Sequence, residues 1–302
     1  MSTEVAVAEN RKTVSPLLRC WCGAEQWESL FRRPRGGLAR CRVCGSYQTD
    51  PPPLTDSDES QAFYTSYYAH LEMGARPLRD LAHSRTAGFW KVANQVPALQ
   101  PPGRAVADIG CGDGHLCAEL QAAGWDEVHG VELSEIRVTR ARQFYPRIYF
   151  YDRPLRDTNV AKGSLDLVVS ESTIEHVPEP VQLLQGVRPY LRPGGRIVIT
   201  TPNLASGHFR LLGKRWTGML APHAHIFMFT ASSLSLALER AGYRVENAGS
   251  FPDEQYSLAK WMRRLFSGDV KGAVWRAHQE LGTLYGHLIG QSAMLYAVGV
   301  AD

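Results

Sequence analysis

Residues 106–120 read VADIGCGDGHLCAEL. An apolar run runs into three alternating glycines, Gly110, Gly112 and Gly114, and then into an apolar-periodic segment. A strand that hands over to a helix through glycines can turn sharply at positive φ and leave its backbone open to a ligand. In a doubly wound sheet such a turn lies at the carboxyl end of a strand, where ligands of these sheets bind. The G-x-G-x-G spacing fits neither the P-loop, which needs a downstream Gly-Lys-Ser/Thr, nor the G-x-G-x-x-G dinucleotide fingerprint. Asp113 at the helix start would also repel a pyrophosphate. An acidic turn suits a ligand with a cationic amino group instead. Further on, HGVEL ends a second apolar run at Glu132, where a carboxylate can accept both hydroxyls of a ribose.

Working outward from this turn, the chain after Gly103 alternates short apolar runs with helical patterns. RAVADIG, EVHGVEL, RIYFYD, LDLVVSES, RIVITTPN, RVENAGSF and SAMLYAVGV read as strands. HLCAELQAAG, SEIRVTRARQFY with Ser134 as N-cap, EPVQLLQGVRPYL, and TASSLSLALERAGY with Thr230 as cap read as helices, and LRPGG reads as a turn. This alternation predicts an α/β fold, a Rossmann-like doubly wound seven-stranded sheet covered on both faces.

Upstream, residues 1–15 read as a loose tail, 16–50 as a small module and 51–60, rich in proline, serine and acids, as a linker. The module holds Cys20 and Cys22 as C-x-C and Cys41 and Cys44 as C-x-x-C, each pair followed by glycine. Four thiolates at this spacing predict a structural zinc ribbon, although the first pair is one residue shorter than usual. The metal would supply much of so small a unit's folding energy. Cys111 and Cys117 read as small packing residues. The chain of 302 residues has a formal charge of only +3, which gives no general argument for nucleic acid or an anionic membrane. No segment is long and apolar enough to span a bilayer and the N-terminus lacks a secretion signal, so a cytoplasmic location and no membrane partner are expected.

Adenosyl-methionine has the amino group, sulfonium and ribose diol that the acidic turn and Glu132 would suit. VADIGCGDG, VHGVELS, GSLDLVVSESTIEHVPEP, LRPGGRIVITTPN and LALERAGY, in that order, resemble the class I S-adenosylmethionine-dependent methyltransferases over about residues 60–302. The resemblance implies that Asp108, Gly110, Cys111 and Gly112 lie along the methionine moiety and that Glu132, with Leu133 beside it, holds the ribose. It puts Tyr151 or Asp152 at the adenine and Glu171 near the methionine end and the acceptor. A cysteine ribbon before such a domain, followed by FYTSYY, resembles a bacterial subgroup acting on sugars, polysaccharides and natural products. In that subgroup Tyr64, Tyr67 and Tyr68 would fall in a lid, here 61–98, over the cofactor; interdomain packing is the other reading.

Methyl transfer is an in-line displacement, so the enzyme mainly positions two reactants, and a base is needed only where the acceptor loses a proton. Candidate bases are Glu171, Glu175 and His176 after the fourth strand, and His223 and His225 in an insertion over 202–229. The subgroup's pattern is matched by Trp216, Gly218, Pro222, His225, Phe229 and Thr230, which favours His225; His176 also reads as a loop-holding residue. Arg210, Lys214 and Arg215 read either as a site for an acceptor's phosphate or carboxylate or as a solvated cluster. The helical region 253–288 could cap the acceptor pocket or form a homodimer.

The expected activity is therefore methyl transfer to oxygen, nitrogen or carbon of a small molecule or sugar-type acceptor, in natural-product or polysaccharide biosynthesis. An RNA base methyltransferase using the ribbon for docking is the alternative. A non-catalytic cofactor-binding scaffold is a third. The ribbon carries few arginines and no dense basic and aromatic stripe, so nucleic acid is not expected as a partner.

Overall fold

The computed structural model describes residues 19–31, 37–50, 77, 88–100, 103–213, 224–252 and 281–302. The expected tail and linker, Tyr64, Tyr67, Tyr68, Lys214, Arg215, Trp216, Gly218, Pro222, His223 and most of 61–98 and 253–288 lie outside the described residues.

Three short strands, β1 (Trp27–Phe31), β2 (Gly37–Cys41) and β3 (Tyr47–Asp50), come first, followed by helix α1 (Gly88–Ala93). Then come β4 (Gly103–Ile109), α2 (His115–Ala122), β5 (Trp125–Val131), α3 (Glu135–Phe144), β6 (Tyr149–Tyr151) and β7 (Leu165–Glu171). Helix α4 (Pro180–Val187), β8 (Leu191–Pro202), α5 (Gly207–Leu212), β9 (Phe227–Met228), α6 (Ala231–Arg240) and β10 (Arg244–Phe251) follow. A helical stretch over 281–288, α7, leads into β11 (Met294–Val300).

Seven of these strands form one sheet in the order β10-β11-β8-β7-β4-β5-β6. The five from β8 to β6 are parallel, and β11 runs antiparallel to both β8 and β10. Strands β4 and β7 are buried along most of their length and read as near-continuous apolar runs, as parallel strands covered on both faces must. Successive side chains point to opposite faces. Ala105, Ala107 and Ile109 join one core with α4 and α6 through Leu184, Leu234 and Leu238. Val106 joins the other, with Trp90 of α1, Leu120 of α2 and Val138 of α3.

The chain leaves β4 toward β5 and β6 on one side, while β7 and β8 lie on the other. The switch point between β4 and β7 is where an open α/β sheet leaves a crevice beyond its carboxyl ends. Thr230 caps α6 as read from the sequence, in a reciprocal capping box with Ser233. Two local readings change. LRPGG is not a free turn but the start of β8, because Gly194 donates to the Ala301 carbonyl and Ala301 to that of Gly195. Ser134 precedes α3 without capping it through its side chain; its own N–H goes to Glu132.

The small strands form a second, antiparallel sheet, β1-β2-β3-β9, whose last strand comes from the 224–230 segment of the large domain. Trp21 packs against Phe229 with ring centroids 6.1 Å apart, and Arg240 donates to the Cys22 carbonyl at 2.7 Å. No helix among the described residues is long and apolar enough to cross a membrane.

Candidate active site

The turn after β4 is fixed by the end of β5: the Val131 carbonyl accepts from Gly110 at 2.7 Å and from Cys111 at 3.1 Å. Gly110 lies at φ +82°, and a Cβ there would overlap the Thr173 side chain, 2.8 Å from Cγ2 and closer still to Oγ1. Gly112, at φ +56°, has the Arg137 guanidinium where its Cβ would go, 2.7 Å away. Gly110 is therefore required by the short Thr173 side chain as well as by the turn, whereas at Gly112, where the end of the flexible Arg137 side chain can shift, the positive φ is what requires glycine.

Three carboxylates gather at the switch point. Asp108, at the carboxyl end of β4, is 3% exposed, and burial pushes its carboxyl up to about 8, with Glu171 and Glu132 adding to the rise. Cys117 donates to it through sulfur at 3.7 Å. Glu132 follows β5 and accepts from the backbone N–H of Gly112 at 3.1 Å and of Ser134 at 2.9 Å. Glu171 ends β7, with its two oxygens accepting from Gly88 at 2.9 Å and Phe89 at 3.0 Å, the first N–H groups of α1. Burial raises its carboxyl against the pull of those two N–H groups. Asp113 is taken up by arginines: it pairs with Arg140 at 3.2 Å, and Arg137 lies 3.8 Å from both it and Glu132. The carboxyl groups that gather at the site are therefore those of Asp108, Glu132 and Glu171, while Asp113 is engaged by the arginines.

Around this cluster, Leu133 is exposed and Cys111 is buried against Gly130. The Tyr151 hydroxyl donates to Asn159 at 2.7 Å, and its carbonyl accepts from Glu132. Burial raises Tyr151's hydroxyl. At Asp152 burial is the largest single influence and raises the carboxyl, but its own backbone N–H, Arg153 and Arg142 together outweigh it and hold the carboxyl low.

Beyond β7, the short turn Ile174–His176 meets the segment that carries His225. The rings of His176 and His225 are 4.8 Å apart between centroids. His176 Nδ1 lies 2.9 Å from the Ala224 carbonyl, so it is the protonated nitrogen and Nε2 faces Glu175 Oε1 at 4.0 Å. Glu175 is buried, which raises its carboxyl; His176 and the Thr201 hydroxyl, 2.9 Å away, oppose the rise. His225 is held from the other side by Thr49 of β3, whose hydroxyl donates to the His225 carbonyl at 3.2 Å. Sequence reading brought His176, His225 and Glu175 forward but missed Thr49 and Arg137. Thr49 acts across 176 positions of chain, and Arg137 has the sequence context of any helix-surface arginine.

In the ribbon, Cys20 and Cys44 sulfurs are 3.5 Å apart, Cys22 and Cys41 are 3.6 Å apart, and all four fall within 4.8 Å of one another. Tetrahedral zinc at about 2.3 Å from each sulfur sets them about 3.8 Å apart, so the four residues fit that ion. Hydrogen bonding from Cys20 brings Cys44 down to about 5, while the same pairing pushes Cys20 up.

A family profile described as a methyltransferase domain matches residues 82–248, more than half of the chain. The chain belongs to that family. It is a class I S-adenosylmethionine-dependent methyltransferase by fold and by family. It resembles a tRNA U34 carboxymethyltransferase of Idiomarina loihiensis, 30% identical over 188 residues that cover 57% of each chain. A ubiquinone biosynthesis O-methyltransferase of Xanthomonas axonopodis pv. citri is 27% identical, over 49% of this methyltransferase and 66% of the relative. The match thus spans less than two-thirds of either relative's length. The crystal structure of an S-adenosylmethionine-dependent methyltransferase from Mesorhizobium loti shares the fold, with a TM-score of 0.51 and 21% identity over 73% of this chain and 99% of the other. One curated relative is named for a tRNA and the other for a small-molecule pathway at nearly equal identity. Likeness therefore does not support the expectation that nucleic acid is not a partner.

Proposed function

We propose that this methyltransferase binds S-adenosylmethionine at the β4–β7 switch point and methylates an acceptor, small or sugar-type, held at the His176–His225 edge. The observation that carries the reading is the convergence of Asp108, Glu132 and Glu171 on one crevice, the last two raising the cost of charge on the first. A cationic ligand removes that cost. The donor set fits the cofactor: Asp108 and the 110–112 backbone for the amino acid tail, Glu132 for the ribose diol, and Tyr151 or Asp152 for the base. When bound, the cofactor supplies an electrophilic methyl group on a sulfonium.

The chain's residues do the positioning. Gly110 and Gly112 let the backbone approach the ligand, and Glu171 fixes the start of α1 across the crevice. Tyr68 would add a lid contact. For a hydroxyl or amine acceptor, His225 takes the acceptor's proton, and His176, oriented by Ala224 and Glu175, holds that ring in place. Glu171, with both oxygens occupied, serves better as a positioning residue than as the base. Zinc would be held by Cys20, Cys22, Cys41 and Cys44 and would stabilise the ribbon rather than act on the substrate. A homodimer through 253–288 and a role in natural-product or polysaccharide biosynthesis complete the proposal; the RNA reading rests on the tRNA-named relative.

Titration calorimetry with adenosyl-homocysteine tests the donor site. One site per chain, weakened in Glu132→Ala, is the expected result, and an absence of heat sinks the reading. Incubation with methyl-labelled cofactor and separate small-molecule and RNA pools then decides the acceptor class.

A further inference from the structure

Among the described residues, two groups of His, Cys, Asp and Glu side chains lie close enough together to share one metal ion. One is the ribbon's four cysteines; the other is Glu175, His176 and His225, whose ligand atoms fall within 4.8 Å of one another. Glu175 and His176 come from the turn after β7 and His225 from the segment before β9, so donors from two separate stretches of chain meet. The backbone clamps these stretches on both sides of His225. His176 Nδ1 donates to the Ala224 carbonyl at 2.9 Å, and the Ile226 N–H donates to the Glu175 carbonyl at 2.8 Å. The first of these bonds makes Nε2 the acceptor nitrogen of the neutral His176 ring, 4.0 Å from Glu175 Oε1. The other Glu175 oxygen accepts from the Thr201 hydroxyl at 2.9 Å. A histidine that binds a metal gives its other N–H to a carbonyl or carboxylate, and a carboxylate ligand is itself hydrogen-bonded. His176 and Glu175 have those outer partners in place.

We propose that Glu175, His176 and His225 form a second metal site, for a divalent transition ion of the zinc class. Two imidazoles and one carboxylate suit such an ion, and three protein ligands leave a position for a further oxygen. Zinc at about 2.1 Å from each donor sets them about 3.4 Å apart, so a bound ion draws these side chains in by about 1 Å. Magnesium, which takes oxygen ligands, does not suit two imidazoles. The site borders the cofactor crevice, because Thr173, which crowds Gly110 of the cofactor turn, is three residues before His176. The proposal rests on the methyl-transfer reading above and adds to it. In the ion-free chain His225 takes the acceptor's proton; in the loaded chain its lone pair is spent on the ion. An acceptor hydroxyl coordinated there loses its proton to water instead, as zinc-bound water does near a pH of about 7. Its oxygen keeps the electron pair and forms the bond to the methyl carbon, while the C–S bond breaks with its pair going to sulfur.

The test titrates cobalt(II) into the full chain after dialysis against a chelator that leaves the ribbon's zinc in place, as metal analysis checks. One cobalt ion per chain is expected to bind beside that zinc. Its spectrum should lack the thiolate-to-cobalt charge transfer that cobalt in the ribbon would show. Glu175→Gln, whose side-chain oxygen can still accept from Thr201, and His225→Ala should each weaken cobalt at least about a hundredfold, since losing even an outer partner costs about 10–100-fold. Ribbon zinc and adenosyl-homocysteine binding should stay as in the parent, which shows that the variants fold. Three results overturn the proposal: no cobalt bound outside the ribbon, affinity unchanged in both variants, or magnesium bound as tightly as cobalt. Failure of the unsubstituted chain to bind adenosyl-homocysteine would instead strike the methyl-transfer reading, so the two failures are separable.

Discussion

Replacing Gly110 by alanine tests the geometry on which the cofactor turn depends. Its φ of +82° lies in the left-handed region, where an L-residue with a Cβ costs about 1–2 kcal/mol. The new methyl group would also lie 2.8 Å from Thr173 Cγ2 and nearer still to its Oγ1, so Thr173 must move. That breaks the hydrogen bond its hydroxyl donates to the Glu171 carbonyl, 3.1 Å long. Overpacking of this kind costs about 1–3 kcal/mol. Gly110→Ala is therefore expected to destabilise by about 2–5 kcal/mol in urea unfolding and to weaken adenosyl-homocysteine binding. Adding Thr173→Ala removes the two clashing atoms and should recover about 1–3 kcal/mol, leaving only the backbone term. A Gly110→Ala chain within about 0.5 kcal/mol of its parent would refute the reasoning. A double variant with no recovery would show that Thr173 is not what the methyl group meets.

Asp108 is mostly protonated at neutral pH because burial lifts its carboxyl to about 8, while a bound ammonium favours the carboxylate. Adenosyl-homocysteine affinity should thus rise with pH from 6 and level off above 8, with proton release visible as buffer-dependent heat at pH 7, and Asp108→Asn should flatten the profile. Glu132→Ala removes charge-assisted bonds and should weaken the same ligand by about 1–3 kcal/mol in calorimetry. His225→Ala should lower turnover, measured with any acceptor found, far more than it lowers cofactor affinity; full activity would remove His225 from the mechanism. Zinc analysis should find one ion per chain, absent in Cys44→Ser, and in that variant hydrogen exchange should speed up over 224–230 as the β3–β9 pairing loosens.

Much of this was legible in the chain alone. Apolar runs such as LDLVVSE, bounded by turn residues, read as strands buried on both faces, and the G-x-G-x-G turn after VADI reads as a strand end whose backbone is open to a ligand. Local chemistry determined those features, as it determined the Thr230 cap and the four clustered cysteines. Tertiary structure alone decided which neighbours complete them. LRPGG became strand because the chain's far end pairs with it, and Asp113 was taken up by Arg140. Glu171 found its partners at Gly88 and Phe89, and Thr49 reached His225 across two modules. Periodicity and spacing record what each segment does to its own backbone, whereas a side chain's partner depends on distances that only packing sets.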